Sequence, residues 1–296
     1  MSIKLKSSYS NIESWFRGNL HTHTTESDGS CPPETVIADY ESRGYDFLCI
    51  SDHDILVDPS RYQRNTSMLL IPAVEVTANG PHIQQVNANN RVAPNPDRQV
   101  VVREIIADQS ICILNHPNWG AQYNHFPHVL MESLDGYHGI EIYNGVIQRL
   151  QGTALASDRW DRLLSGGHRL WGYGNDDSHQ PGDVGIAWNV VQAEDCTVDQ
   201  IDVGLRNGSF YASTGVTISS IGINGTTVHV KTKDAQRVCF VSKLGVIQLI
   251  VDGAEASYSL PEDLNQALSL SYIRAECYGA GGSVAWTQPI FIEEEV

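Results

Sequence analysis

Nine side chains of the types that bind metal ions lie within the first 179 residues of this chain. Imidazole and carboxylate groups together suit divalent zinc, manganese or iron. A site with so many ligands can hold two or three ions, which is the arrangement used in metal-assisted hydrolysis. In chain order the nine are His21, His23, Asp28, His53, Glu75, His82, His116, Asp177 and His179.

Most of these residues stand at the end of an apolar run that predicts a buried strand. His21 and His23 are two residues apart, so on a strand both imidazoles point to the same face. His53, His116 and Asp177 each follow a strand-like run. The predicted strands span 47–51, 69–77, 111–115, 139–143 and 170–174.

Segments that predict helices alternate with these strands, at 33–43, 97–109, 148–164 and 197–206. Such alternation indicates parallel βα units and an α/β fold. A (β/α) barrel collects catalytic groups at the carboxyl ends of several strands, whereas an open doubly wound sheet collects them at one switch point. Polar residues recur after several of the predicted strands, and this recurrence favours the barrel.

The pattern changes after about residue 212. Short apolar runs follow at 227–232, 238–242, 246–251, 268–278 and 290–292, separated by Asn-Gly, Asp-Gly and glycine-rich turns. We therefore predict a barrel domain at 1–212 and a small antiparallel, β-sandwich-like domain at 213–296. The second domain contains one histidine, His229, and no ligand cluster, so we expect a structural or oligomeric role for it.

The composition argues against several classes of partner. Lys and Arg number 19 against 35 Asp and Glu, which gives a formal net charge of -16. A surface of this sign repels nucleic acid and anionic membranes. No apolar stretch is long enough for a signal peptide or a membrane span. The six cysteines form no C-x-x-C pair, which is typical of free thiols in a reducing compartment, so we expect a cytoplasmic protein.

The motifs around these residues resemble those of the polymerase-and-histidinol-phosphatase (PHP) superfamily of metal hydrolases. They are GNLHTHTTESDG, SDHD, PAVEVT, NHPNW, EIYNG and GNDDSH. A narrower resemblance, to the carbaryl-hydrolase-like branch, rests on WDRLLSGGHRLWGYGNDDSH and AWTQPIF. The resemblance covers nearly the whole chain. It implies a distorted seven-stranded, TIM-like (β/α) barrel, two or three bound metal ions and hydrolysis, mostly of phosphoesters; carbaryl hydrolases cleave aryl carbamates.

The resemblance also implies three metal positions. Their ligands would be His21, His23, Glu75 and Asp177 for the first, Glu75 as a bridge with His82 and His116 for the second, and Asp28, His53 and His179 for the third. Asp28 stands where several family members have histidine, which could weaken the third position or alter its metal preference. His82 lies in a stretch that matches the family loosely, so His125 or His128 could replace it.

Catalytic roles are expected for Asp52, His53, Asp177 and His179. Divalent ions generate a hydroxide nucleophile from water and polarise the substrate oxygen. No Ser, Cys or Lys nucleophile is then required, and the sequence contains no G-x-S-x-G elbow. Asp52 and Asp54 flank His53 and would either orient its imidazole or cap a turn or helix.

The segment 117–128 should overhang the site, because it follows a predicted strand. It is aromatic and lacks Lys and Arg, which fits an aryl or weakly charged ester better than a dianionic phosphate monoester. The same aromatic residues could instead pack inward over the barrel. Arg149 is a candidate anion contact, and predicted substrate contacts are Arg17, Trp119, Tyr123, Tyr143 and Asn144.

We therefore expect a metal-dependent hydrolase of small-molecule esters, with zinc, manganese or iron as cofactor and with homo-oligomerisation left open. A phosphoesterase is the first hypothesis, because the superfamily mostly hydrolyses phosphoesters. A hydrolase of carbamates or carboxylic aryl esters is the second, favoured by the narrower resemblance and by segment 117–128. A metal-binding module without turnover is the third, and the complete ligand set argues against it.

Overall fold

One large mixed sheet organises the molecule, and a three-stranded sheet accompanies it. The structure, a computed structural model, describes residues 2–295. Strands β3 and β6 are buried along their whole length, which explains their continuous apolar sequences. The strands are β1 (Ser2–Lys6), β2 (Trp15–Asn19), β3 (Phe47–Ile50), β4 (Leu69–Val76), β5 (Ile83–Val86), β6 (Ile111–Leu114), β7 (Gly139–Asn144), β8 (Trp171–Asn175), β9 (Trp188–Gln192), β10 (Phe210–Ser213), β11 (Ile218–Asn224), β12 (Thr227–Thr232), β13 (Arg237–Ser242), β14 (Val246–Asp252), β15 (Glu255–Ser259), β16 (Tyr272–Tyr278), β17 (Val284–Thr287) and β18 (Ile290–Glu295).

Local signals set the ends of several helices. Asp97 caps α3 (Arg98–Ala107) by accepting a hydrogen bond from the backbone N–H of Gln99, and Thr197 caps α6 (Val198–Asn207) by accepting one from the backbone N–H of Gln200. Gly208, with a φ of +81°, ends α6. The predicted helices at 33–43, 97–109 and 197–206 agree with α1, α3 and α6. The helices are α1 (Pro33–Ser42), α2 (Ser60–Gln63), α3 (Arg98–Ala107), α4 (His128–Ser133), α5 (Ser157–Ser165), α6 (Val198–Asn207) and α7 (Leu264–Ser269).

The predicted helix at 148–164 is wrong in its first half. A 3-10 turn covers Gly145–Arg149, and α5 begins only at Ser157. Between them Gly152 has a φ of +114° and forms a β-bridge with Trp119. A Cβ at residue 152 would lie 2.3 Å from the carbonyl oxygen of Asn118, so only glycine allows this approach. The segment before α5 therefore packs against the loop at 117–126 instead of continuing the helix.

The sheet contains two parallel groups of three strands. β2, β3 and β4 are parallel, as are β6, β7 and β8, while β5 runs antiparallel between β4 and β6. The segments that follow β2 and β8 meet at a parallel bridge between Thr22 and Ser178. The backbone ladder between β2 and β8 is otherwise not closed within residues 2–295. The α/β class is confirmed, and the closed barrel stays a prediction.

Side-chain amides complete the free edge of β8. The carboxamide of Asn189 accepts from the N–H of Gly174 and donates to its carbonyl, at 3.1 and 2.8 Å. The carboxamide of Gln288 does the same for Gly172, at 2.8 Å in both directions. Both amides are buried, so they supply the hydrogen bonds that a neighbouring strand would otherwise provide.

The strands after residue 217 pair only antiparallel within the described part of the chain, as predicted. The predicted strand at 268–278 is wrong in its first residues, because Asp263 caps the short helix α7 there and β16 begins at Tyr272. β10 pairs with β17, and β1 pairs with β18, so the two ends of the chain share one sheet. The domain boundary at 212 stays a prediction.

All six cysteines are free, as the sequence predicted. Between residues 2 and 295, none of the helices combines the length and the apolar character that a membrane-spanning helix requires.

Replacing Gln288 by methionine should lower the free energy of unfolding by about 2–4 kcal/mol, because it leaves a buried N–H and a buried carbonyl of Gly172 without partners. Urea denaturation followed by circular dichroism measures this change. Gln266→Met on the exposed face of α7 is the matched control and should change stability by less than about 0.5 kcal/mol. Equal stability of the two variants would refute the proposed role of the amide.

Candidate metal centre

The fold brings all nine predicted ligands to one end of the large sheet. Eight of them lie at or beyond the carboxyl ends of β2, β3, β4, β6 and β8. His82 instead precedes β5, and because β5 is antiparallel, its start lies at the same end. His116 and Asp177 have φ values of +28° and +54°, and such strain is characteristic of functional sites.

The first predicted position unites four buried residues. His21 Nε2 lies 3.2 Å from both Glu75 Oε1 and Asp177 Oδ1. His23 Nε2 lies 3.0 Å from Asp177 Oδ1 and 3.6 Å from Glu75 Oε2. Ligand atoms that each lie about 2.1 Å from a tetrahedral zinc ion are about 3.4 Å from one another. The four side chains therefore have the spacing of a metal site.

The second position shares Glu75 with the first. His82 Nδ1 and His116 Nε2 lie 3.1 and 3.0 Å from Glu75 Oε1. His125 belongs to the same cluster, but its Nε2 accepts a hydrogen bond from the backbone N–H of His82 at 3.0 Å. It therefore supports the backbone at His82, and its predicted alternative role as a ligand stays a prediction. His128 pairs with Glu132 on α4 and belongs to none of the ligand groups.

The third position is more open than the first. His53 Nε2 and His179 Nε2 each lie 3.4 Å from Asp28 Oδ1. The side chain of Asp28 is 56% exposed, whereas those of His53 and His179 are about a quarter exposed. His179 Nδ1 donates to the carbonyl oxygen of Asp177, at 2.8 Å, which leaves Nε2 free to bind an ion.

Buried polar atoms without a partner test whether metal ions fit this site. Residues 2–295 contain thirteen such side-chain atoms, and seven of them belong to the predicted ligands. Such atoms are rare in folded proteins and call for an explanation at each occurrence. Cations bound in this cluster would give partners to those atoms that face one another, such as His21 Nε2, His23 Nε2 and Asp177 Oδ1. The seven are His21 Nε2, both ring nitrogens of His23, His53 Nδ1, Glu75 Oε2, His116 Nδ1 and Asp177 Oδ1.

The charges in this cluster support one another. Burial alone would raise the pKa values of Glu75 and Asp177, but the neighbouring His21 holds both well below their usual range. Burial alone would lower the pKa of His21, yet the surrounding carboxylates, led by Asp177, raise it well above its usual value. The carboxylates are therefore ionised and ready to bind cations. Because a histidine must bind metal through a deprotonated nitrogen, a bound ion would displace a proton from His21.

Glu141 orients two of the ligands, a role that we did not foresee from the sequence. Its Oε1 accepts from His21 Nδ1 at 2.7 Å, and its Oε2 accepts from the backbone N–H of His116 at 2.8 Å. The amide of Asn144 donates to Glu141 and to Asp177, so this residue supports predicted ligands, and its contact with substrate stays a prediction. A carboxylate inside an otherwise apolar strand was the signal that could have revealed the role.

Asp52 and Asp54 fix loops and do not contact the imidazole between them. Asp52 accepts hydrogen bonds from the backbone and hydroxyl groups of Thr24 and Ser27. Asp54 accepts from the backbone and hydroxyl of Thr77. Of the two roles predicted for Asp52, the structure therefore shows the capping of a turn, at residues 24–27, and not the orientation of a histidine. Through Ser27, Asp52 holds the loop that carries the third-position carboxylate.

A cavity of about 280 Å³ opens above the cluster. One of its walls is apolar and consists of Trp119, Val146, Ile147 and Leu150. Arg149 also lines the cavity, and its Nε and Nη2 donate to the two carboxylate oxygens of Asp183, at 2.8 and 2.7 Å. Among the described lining residues, Arg149 is the one lysine or arginine, and its charge is balanced by this buried partner.

Three predicted substrate contacts, Arg17, Tyr123 and Tyr143, do not line this cavity. Arg17 precedes the end of β2 by two residues and lies away from the end where the ligands gather. Its guanidinium packs 4.0 Å from the ring centre of Tyr45 and 3.7 Å from that of Trp188. Tyr123 is 54% exposed. Of the aromatic residues in the segment 117–128, Trp119 lines the cavity, and Phe126 is buried in the core.

No protein-family model and no curated protein matches this chain. A two-domain protein from Bacteroides vulgatus, containing a predicted PHP-like metal-dependent phosphoesterase, aligns over 98% of each chain with a TM-score of 0.58 and 16% identity. The lesion-specific endonuclease PfuEndoQ from Pyrococcus furiosus aligns over 92% of this chain and 69% of its own, with a TM-score of 0.49 and 13% identity. The chain thus shares its fold with a PHP-like protein, as predicted, and the carbaryl-hydrolase branch stays a prediction.

Replacing Glu141 by glutamine should weaken metal binding about 10- to 100-fold. Glu141 accepts hydrogen bonds from His21 Nδ1 and from the backbone N–H of His116, and the single carbonyl oxygen of glutamine can replace only one of the two carboxylate oxygens. Calorimetric titration of the metal-free protein with Zn²⁺ or Mn²⁺ measures the change. Glu104→Gln, on the exposed surface of α3, makes the same chemical change away from the site and should bind as the wild type does. Identical affinities for both variants would contradict the orienting role.

Proposed function

We propose that this protein is a metal-dependent phosphoesterase that holds two or three divalent ions. The observation that carries the proposal is that seven buried atoms of the predicted ligand side chains lack hydrogen-bond partners and gather at one end of the sheet, beside an open cavity. The sequence motifs and the fold shared with a protein that contains a predicted PHP-like metal-dependent phosphoesterase support it.

The chain's own residues would divide the work of the site. When bound, divalent ions lower the pKa of water and stabilise negative charge on the substrate. The buried His21, His23 and Asp177 would hold the first ion, and Glu75 would serve the first two positions together. Glu141 orients the imidazole of His21 through a hydrogen bond to its Nδ1, so that Nε2 faces the first position.

The third position would face the substrate, as the second would. The side chains of His53 and His179 line the cavity, together with Asp28. Asp183 accepts a hydrogen bond from the backbone N–H of His179 at 3.1 Å and binds Arg149 as well. The substrate cavity and the third position are therefore linked through a single buried carboxylate.

Replacing Asp177 or His53 by alanine should lower kcat/KM about 10³-fold or more, because each change removes a ligand from the reacting centre. Removal of the metal by a chelator should abolish turnover, and Mn²⁺ or Zn²⁺ should restore it. Metal content, measured by mass spectrometry, should fall together with activity, while Glu104→Ala keeps both. Near-normal activity in the Asp177 and His53 variants would reject the site.

A second candidate function is hydrolysis of an aryl carbamate or a carboxylic aryl ester. It is favoured by the charge of the cavity, since the guanidinium of Arg149 is already paired with Asp183. A dianionic phosphate monoester usually meets an unpaired Arg or Lys in addition to metal. The apolar wall that includes Trp119 and Leu150 suits an uncharged aryl group.

A panel of substrates with one aryl leaving group separates the two functions. The phosphate monoester, phosphodiester, N-methylcarbamate and acetate would be compared by kcat/KM with the enzyme loaded with Mn²⁺ or Zn²⁺. We expect the highest value for a phosphorus centre, with the diester above the monoester because the cavity offers no unpaired Arg or Lys. Preference for the carbamate or acetate would establish the second function, and no turnover of any member would reject both.

A further inference from the structure

Helix α5 connects two parts of the molecule through its opposite faces. Arg159 and Asp161 are two residues apart on this helix, so their side chains point in different directions. Arg159 contacts the loop at 117–126, and Asp161 contacts strand β16. Neither residue belongs to the metal cluster described above.

On the first face, Arg159 holds the loop at 117–126 at two points. Its Nε donates to Asn118 Oδ1 at 2.9 Å, and its Nη2 donates to the carbonyl oxygen of Tyr123 at 2.9 Å. The amide of Asn118 in turn donates to Leu155 O and to Asp158 Oδ1, at 3.0 and 2.9 Å. The beginning and the tip of the loop are thus fixed to the first turn of α5.

This loop carries groups that shape the site. The ring of Trp119 lines the cavity, 5.2 Å from that of His116. The Nε2 of His125 accepts from the backbone N–H of His82. The loop closes on itself through a hydrogen bond from the N–H of His125 to the carbonyl of Trp119. A displacement of the loop would therefore move both the apolar wall of the cavity and the support of a predicted ligand.

On the opposite face, a buried ion pair fixes α5 to the C-terminal strands. The Nε and Nη2 of Arg274 donate to the two oxygens of Asp161, at 3.0 and 2.7 Å, and the hydroxyl of Tyr272 donates to the same carboxylate. Arg274 is 1% exposed and also binds Glu276, so its charge is fully used within the protein. This pair cannot shift without leaving a buried charge unpaired.

We infer that the C-terminal strand β16 fixes the substrate cavity through α5, with Arg159 as the positioning residue for Trp119 and its loop. The inference rests on the proposed function only for its kinetic consequence, because the position of the loop can be measured without turnover. It gives the C-terminal strands a role in the site, although none of their described residues lines the cavity.

Hydrogen–deuterium exchange of the intact protein tests the positioning directly. Arg159→Ala should raise exchange in the peptide 117–126 about tenfold or more, because the loop loses both of its anchors. Arg159→Lys should restore part of the protection. Arg162→Ala removes the same charge from the exposed face of the same helix and should leave the peptide unchanged. Equal exchange in Arg159→Ala and Arg162→Ala would overturn the inference.

The C-terminal part of the inference is tested on Asp161. Asp161→Asn, or the milder Tyr272→Phe, should also raise exchange at 117–126, although neither residue contacts that loop. The β3 peptide 47–50 reports any global loss of stability and should keep its protection. Exchange at 117–126 that stays at the wild-type rate, or that rises only in step with β3, would show that α5 does not transmit the constraint.

Kinetics distinguish positioning of the cavity from a purely structural role. For the aryl ester that turns over fastest, Arg159→Ala at saturating metal should raise KM about tenfold and change kcat less than about threefold, the pattern of lost substrate binding. Arg159→Lys should recover part of the KM. An unchanged KM would overturn the kinetic claim, whereas absence of turnover in the wild type would reject the proposed function and leave the exchange result to decide the inference.

Discussion

The carboxylate of Glu75 is the group on which the rest of the site depends. It is fully buried, and its two oxygens lie within 2.8–3.6 Å of five imidazoles, those of His21, His23, His53, His82 and His116. An isolated carboxylate in such a place would cost several kcal/mol to bury. It is stable there only because positive charge surrounds it, from protonated histidine in the bare protein and from cations when these bind.

This requirement explains the arrangement of the neighbouring strands. Glu75 is the penultimate residue of β4, and its imidazole neighbours approach it from both sides. The parallel β3 supplies His53 on one side, and the antiparallel β5 supplies His82 on the other, from its start. An unbroken parallel order would have placed the start of β5 at the opposite end of the sheet. β5, the one antiparallel strand between β2 and β8, therefore serves the site, and the amide of Asn115 further supports Glu75 by donating a hydrogen bond to its Oε1.

The sequence predicted those parts of the molecule that depend on local patterns. Polar residues that follow apolar runs, such as His53 and His116, were predicted to meet at one end of the sheet, and the structure brings them together there. Roles set by long-range contacts were not predictable in this way. In the sequence, Arg17 and Arg149 were equally good candidates for an anion contact. In the structure, Arg17 packs against Tyr45 and Trp188, whereas Arg149 lines the cavity. Only the tertiary fold separates them.

The amides at the edge of β8 have a consequence for the order in which the chain can fold. Gly172 lies in the middle of the sequence, but its N–H and carbonyl find their partners on Gln288, which is 116 residues further along. During synthesis, β8 can therefore not complete its hydrogen bonds until residue 288 has left the ribosome. Until then its edge remains open to pairing with other strands, which is the usual start of aggregation. The predicted ligands Asp177 and His179, which follow β8, therefore lie next to a strand whose edge is completed only by the C-terminal part of the chain.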